Sequence, residues 1–142
     1  MIGNTVASIF SAPGLKSVVT GGTLYSDAIY YYRVFTGTSS LIVSSANLVA
    51  DIITVGGGGS GGNFNAGAGG AGGYLIFTSQ TLTPASYNCT IGGGGAPAAS
   101  GNANAGVASQ FGSLTAAVGG GKGGWFTGGA SGVAGTGGSG GG

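Results

Sequence analysis

The sequence predicts an all-β chain, a small β-sandwich joined to packed glycine-rich segments of the polyglycine II type. Short β-branched and aromatic runs alternate with Gly, Pro, Ser and Asn clusters, the usual pattern of strands and their turns. No segment sustains an apolar period of 3.6, so helices are not expected. Strand after strand also ends in a β-branched residue that feeds a glycine run. Val55 leads into Gly56–Gly59, Ile91 into Gly92–Gly95 and Val118 into Gly119–Gly121.

Taken in order, residues 1–25 read as an N-terminal attachment arm, and residues 26–142 as a glycine-rich β-domain. Pro13-Gly14 and Gly21-Gly22 punctuate the arm, leaving room for one strand at Ser17–Thr20. "DAIYYYRVFTG" (27–37) is the first well-marked strand. "SSLIVSS" (39–45) follows a turn at Gly37-Thr38, and then come "ADIITV" (50–55), "YLIFTSQTLT" (74–83), "SYNCTI" (86–91) and "SLTAAV" (113–118).

The glycine spacing is the more unusual signal. Gly56, Gly59 and Gly62 are three apart, as are Gly67, Gly70 and Gly73, and again Gly129, Gly132, Gly135, Gly138 and Gly141. A polyproline II-type helix has three residues per turn and no internal hydrogen bonds. One face without side chains lets such helices approach and bond laterally. Those bonds must offset roughly 1–2 kcal/mol of backbone ordering per residue, which requires several helices packed together. Collagen is excluded, because Gly-X-Y is not strict and there are only 3 prolines. A flexible Gly/Ser linker, most of all over 128–142, is the alternative.

Of 142 residues, 37 are glycine and 4% are charged, with a net charge of +1. That field is too weak to gather nucleic acid or an anionic membrane. With so little repulsion between copies, a homo-oligomer is expected. No apolar run approaches the ~20 residues of a membrane span. The start lacks a basic signal-peptide region, so assembly in the cytoplasm is expected. Cys89 is the one cysteine, which reads as a small buried hydrophobe. Asn88-Cys89-Thr90 matches a glycosylation sequon, but nothing indicates secretion.

Catalytic and cofactor motifs fail on their context. Gly57-x-Gly59-x-x-Gly62 fits a dinucleotide fingerprint, yet no helix can open at "NFNAGAGGAGG" and no acidic residue follows to hold a ribose. Lys122 in "GGGKGG" lacks the spaced glycine and the following Ser or Thr of a phosphate loop. Histidine is absent, and Asp27 and Asp51 are the only carboxylates. Each suits a strand entrance better than an acid pair. Neither an enzyme nor a cofactor or metal site is expected.

Binding is the better candidate. Asn63, Phe64 and Asn65 interrupt one glycine segment, Trp125 and Phe126 another, while Asn102 and Asn104 decorate a third. Aromatic faces beside amides suit sugar rings. The competing reading has Trp125 and Phe126 packing inward to cap the glycine layer.

The order of elements in "YYYRVFTGTSSLIVSSANLVADIITVGGGGSGG" resembles the glycine-rich domain of bacteriophage tail fibres and related virion proteins. That family shows a Tyr-x-x-Phe-Thr strand, a short strand, then an Ile/Val strand running into glycines. Here these are Tyr32–Thr36, Leu41–Val43 and Ile52–Gly62, and the likeness extends over about 28–142. The resemblance implies a charge-poor β-sandwich with polyglycine helices, located in the virion and without catalytic residues. It favours a trimer in fibres or tips that contact host surfaces, a glycan being the surface group that the aromatic and amide residues suit; the N-terminal arm falls outside the likeness and is expected to join the chain to other virion proteins. A purely structural capsid decoration or fibre-base protein is the second reading. An ice-binding protein would want flat, Thr-rich faces, and the threonines here are scattered.

Overall fold

A computed structural model describes residues 16–63, 66–97, 103–127 and 130–142. Its strands are β1 (Val18–Thr20), β2 (Thr23–Ser26), β3 (Tyr31–Val34), β4 (Ser39–Ser44), β5 (Leu48–Val55), β6 (Tyr74–Leu82), β7 (Ala85–Thr90), β8 (Gln110–Phe111), β9 (Trp125–Thr127) and β10 (Ala130–Gly132). There is no helix among the described residues, so none is long and apolar enough to cross a membrane. The chain is all-β, as its short β-branched runs predict.

A four-stranded antiparallel sheet in the order β1-β4-β7-β8 faces the β5–β6 hairpin. Alternation along each strand sends one set of side chains between the layers. Leu41 and Val43 of β4, Cys89 of β7 and Phe111 of β8 meet Ile52 of β5 and Leu82 of β6 there. Val19 of β1, within the first 25 residues, packs against the same cluster. Cys89 is buried as expected, and that burial pushes its thiol pKa up.

Phe77 and Leu82 are five apart, so an unbroken β6 would put them on opposite faces. A bulge solves this. The register slips between Ala50 and Ile52, and Ser79 takes a φ of 53°. Asp51 Oδ1 accepts the Ser79 N–H at 2.7 Å, which holds the bulge closed. Asp51 therefore sits inside a strand rather than at its entrance.

Asp27 shapes a turn. The predicted strand 27–37 is shorter than expected, because residues 27–30 close the β2–β3 hairpin. The Asp27 carboxylate accepts the Ile29 and Tyr30 N–H groups at 2.7 Å each and the Tyr32 hydroxyl. The Tyr32 bond, then those of Tyr30 and Ile29, hold the carboxyl below its usual pKa. A lowered folded-state pKa gives stability that is complete above the ordinary carboxylate range and is lost as pH falls through the lowered value. Amide exchange at Ile29 and Tyr30 should accordingly speed up in that acidic window. Protection that does not change with pH would remove Asp27 as the clasp.

"SLTAAV" (113–118) is not a strand. Gly112, at a φ of 52°, turns the chain, and the Leu114 N–H bonds back to the Phe111 carbonyl at 3.0 Å. Of the expected strand only an isolated bridge from Ala117 to Ser109 remains, and β8 lies just before it at Gln110–Phe111.

Beyond the sandwich, segments 56–62, 66–73, 92–97, 103–108, 117–124 and 133–142 pack side by side. Their hydrogen bonds advance three residues at a time. Gly56, Gly59 and Gly62 donate to Gly73, Gly70 and Gly67, and these in turn donate to Val118, Gly121 and Gly124, all at 2.7–3.1 Å. Gly120 and Gly123 donate to Gly57 and Ser60. This is the bonding of packed three-fold helices, the structure the spacing predicts.

The bonds define two layers. Helix 56–62 lies between 92–97 and 66–73, over a second layer of 103–108, 117–124 and 138–142. Helix 117–124 has neighbours on nearly every side. Added Cβ atoms at Gly119, Gly120 and Gly121 would fall on the carbonyl oxygens of Gly106, Gly70 and Gly135. An enclosed three-fold helix needs glycine on each face, hence the unbroken run. Helix 66–73 lies at the slab's margin and turns Ala68 and Ala71 outward, both exposed. Residues 133–142 are part of this lattice, so the described part of the tail is not a linker.

Candidate functional site: the far end of the glycine slab

Val55, Tyr74, Ile91, Ser109 and Val118 mark where the chain passes between sandwich and slab. All these junctions lie at one end of the slab, since 56 pairs with 73, 73 with 118, and 57 with 107. The opposite end follows from the same ladder. Gly62 bonds Gly67, Gly67 bonds Gly124, and Ser60 bonds Asn104. Residues 63 and 125 therefore emerge together, about 20 Å from the sandwich at ~3.1 Å per residue, with Asn104 one turn short of them beside Ser60.

Of the predicted binding residues, Asn63 and Trp125 are described at that end. Asn63 is half-buried at the bend that closes helix 56–62, and Trp125 is half-buried where β9 opens. Asn104 is exposed. Its N–H donates to Ser60 Oγ at 2.9 Å, and its Nδ2 donates to the Ala96 carbonyl at 2.8 Å. Phe126 pairs through its backbone with Ser131 in the β9–β10 hairpin. Phe64, Asn65 and Asn102 lie outside the described residues, as does the Phe126 side chain.

The hairpin was not legible in "WFTGGASG", since Gly, Ala and Ser are poor strand formers. Its open end lies next to Gly124, whose added Cβ would meet the Gly132 carbonyl at 2.9 Å. Among the described residues, the arrangement puts an indole and an amide at one end of a slab built mostly of glycine and alanine.

Other regions offer less. A cleft of about 210 Å³ in the sandwich, beside Tyr87 and Phe111, has no charged lining residue. It is smaller than the roughly 300–1,000 Å³ of ordinary ligand pockets. No group of three His, Cys, Asp or Glu side chains gathers among the described residues.

Comparison with known proteins adds one finding. No curated protein and no solved structure matches the chain. A family model described as a glycine-rich domain matches residues 34–142, from the end of β3 through the whole lattice. The chain belongs to this glycine-rich domain family.

Proposed function

We propose that this protein is a non-enzymatic structural component of a bacteriophage virion, a small fibre or adhesin. On this reading it is assembled in the host cytoplasm as a homo-oligomer, with three copies favoured. The N-terminal arm attaches it to other virion proteins, and the far end of the slab recognises a host-surface glycan. One observation carries the reading. Asn63 and Trp125 emerge together at the end of the backbone-bonded slab away from the sandwich, with Asn104 one turn below them.

A backbone-bonded slab suits this task, because it holds the connections in place without needing side chains of its own. Indole and amide groups supply what a sugar ring needs, a π face for C–H groups and donors and acceptors for hydroxyls.

Trp125→Ala is expected to reduce host adsorption by about tenfold or more while particles still assemble, the scale of losing one aromatic anchor. Adsorption counts on intact variant particles test this. Unchanged adsorption removes Trp125 from the site and favours a purely structural decoration or fibre-base role.

A further inference from the structure

The β2–β3 hairpin gathers three tyrosines and a carboxylate on one face. Tyr25 pairs with Tyr32 and Thr23 with Val34. The Asp27 N–H donates to the Tyr30 carbonyl at 3.0 Å, which continues the ladder into the turn. Residues two apart on a strand share a face. Tyr25, Asp27, Tyr30 and Tyr32 therefore stand on one side, and Arg33 on the other.

The contacts agree with this register. The Tyr30 and Tyr32 rings lie 6.3 Å apart, centre to centre, and are tilted by 57°. The Tyr32 hydroxyl donates to Asp27 Oδ2. Tyr25, Tyr30 and Tyr32 are 57, 62 and 44% exposed, so a ligand can reach all three rings.

Asp27 carries a charge that no cation answers. Its partners among the described residues are the Ile29 and Tyr30 N–H groups and the Tyr32 hydroxyl, none of them cationic. Such bonds favour the ionised carboxylate. The Arg33 guanidinium is engaged elsewhere, donating to the Val19 and Gly21 carbonyls at 2.6 and 3.2 Å. The Tyr32 bond also acts on its ring. Donation to a carboxylate polarises the phenol and makes its face more negative.

We propose that this face binds a quaternary ammonium group, such as that of choline, against the tyrosine rings and beside the Asp27 carboxylate. The inference is independent of the function proposed above. Rings attract a cation that lies within about 6 Å of their centres, and several rings can share one cation. Tyr30 and Tyr32 are close enough to do so, and the carboxylate beside them supplies the complementary charge.

The kind of cation follows from the acceptors. An ionised carboxylate offers about four acceptor positions, and Asp27 already fills three. A primary ammonium brings three N–H donors, more than the carboxylate can take. The hydroxyls of a sugar meet the same shortage. A quaternary ammonium brings no donor, and its methyl groups pack on the ring faces.

Titration of the full chain with choline, followed through the tyrosine ring resonances by NMR, tests the proposal. Choline should bind with a Kd on the order of millimolar. Its uncharged carbon counterpart, dimethylbutanol, should bind about fivefold more weakly or worse, the scale of one cation–π contact. Tyr30→Leu keeps an apolar side chain and removes a ring. Asp27→Asn keeps an oxygen for the turn and removes the charge. Each should weaken choline binding about fivefold or more. Melting temperatures verify folding, and Tyr25→Leu replaces either variant that fails to fold.

An absence of choline binding would overturn the proposal. So would equal binding of dimethylbutanol, or choline binding that neither substitution weakens. Methylammonium or a neutral hexose bound more tightly than choline would overturn the choice of a quaternary group.

Discussion

Gly59→Val is expected to lower the melting temperature by about 10 °C or more. The added Cβ falls on the Gly121 carbonyl oxygen and close to that of Gly120. These are backbone atoms of the enclosed helix, held by bonds on several sides, and they cannot turn away as a side chain would. Overpacking costs about 1–3 kcal/mol. The bond from Gly70 N–H to the Gly121 carbonyl at 2.8 Å shares that oxygen. Losing it leaves buried polar groups unmatched at about 1–3 kcal/mol more.

The neighbouring position is the control. An added Cβ at Gly58 meets only the Gly70 carbonyl, at 3.6 Å, an ordinary contact. Gly58→Ala should leave the melting temperature unchanged or raise it slightly, by up to about 1 kcal/mol through the unfolded chain. Thermal melts of the two variants decide the matter. Equal effects at 58 and 59 would contradict the packed lattice.

Phe111→Ala is the second large effect, a loss of about 3–5 kcal/mol. Its ring is 8% exposed and stacks on Tyr87 with centroids 5.6 Å apart and planes at 13°. The chain passes repeatedly between sandwich and slab, so loosening one should release the other. Ser109 adds a direct tie, its buried Oγ accepting the Gly92 N–H at 2.9 Å. Trp125 fluorescence, which reports the far end, should therefore shift its transition together with far-UV circular dichroism. A Trp125 transition left at its wild-type temperature would show that the two parts melt independently.

Much of this architecture is legible in the sequence because glycine is informative when it is compulsory. Gly56, Gly59 and Gly62 are compulsory, since a neighbouring backbone occupies the place of each Cβ. The three-residue spacing therefore predicts the helices. It does not predict which helix lies beside which, because a position without a side chain carries no code for its partner. The strand reading failed where local chemistry was ambiguous. "SLTAAV" supplies Leu114 to the core and Ala117 to the slab, two destinations that mimic one strand. Thr23–Tyr25 after Gly21-Gly22 read as arm, yet they belong to β2, which pairs with β3 across the turn at 27–30.

The candidate site was legible for a related reason. Asn63 and Trp125 interrupt glycine runs, and a large side chain interrupts such a run most easily where the lattice ends. That both interruptions fall at the same end was not legible. It depends on helices 56–62 and 117–124 running parallel, as the bonds from Gly120 to Gly57 and from Gly123 to Ser60 require.

The three-residue ladder also sets a rule for changes in length. Along a three-fold helix each residue turns the chain by about 120°, so deleting one residue rotates everything beyond it by a third of a turn. In 66–73 that would swing Ala68 or Ala71 inward, against the backbones that now meet Gly69 and Gly70. Deleting three residues would shorten the helix and keep every glycine facing its neighbour. The β9–β10 strands at the far end pair outside this ladder, so their length is not tied to the count of three. Within one scaffold, then, length is counted in threes along the shaft and freely at the tip.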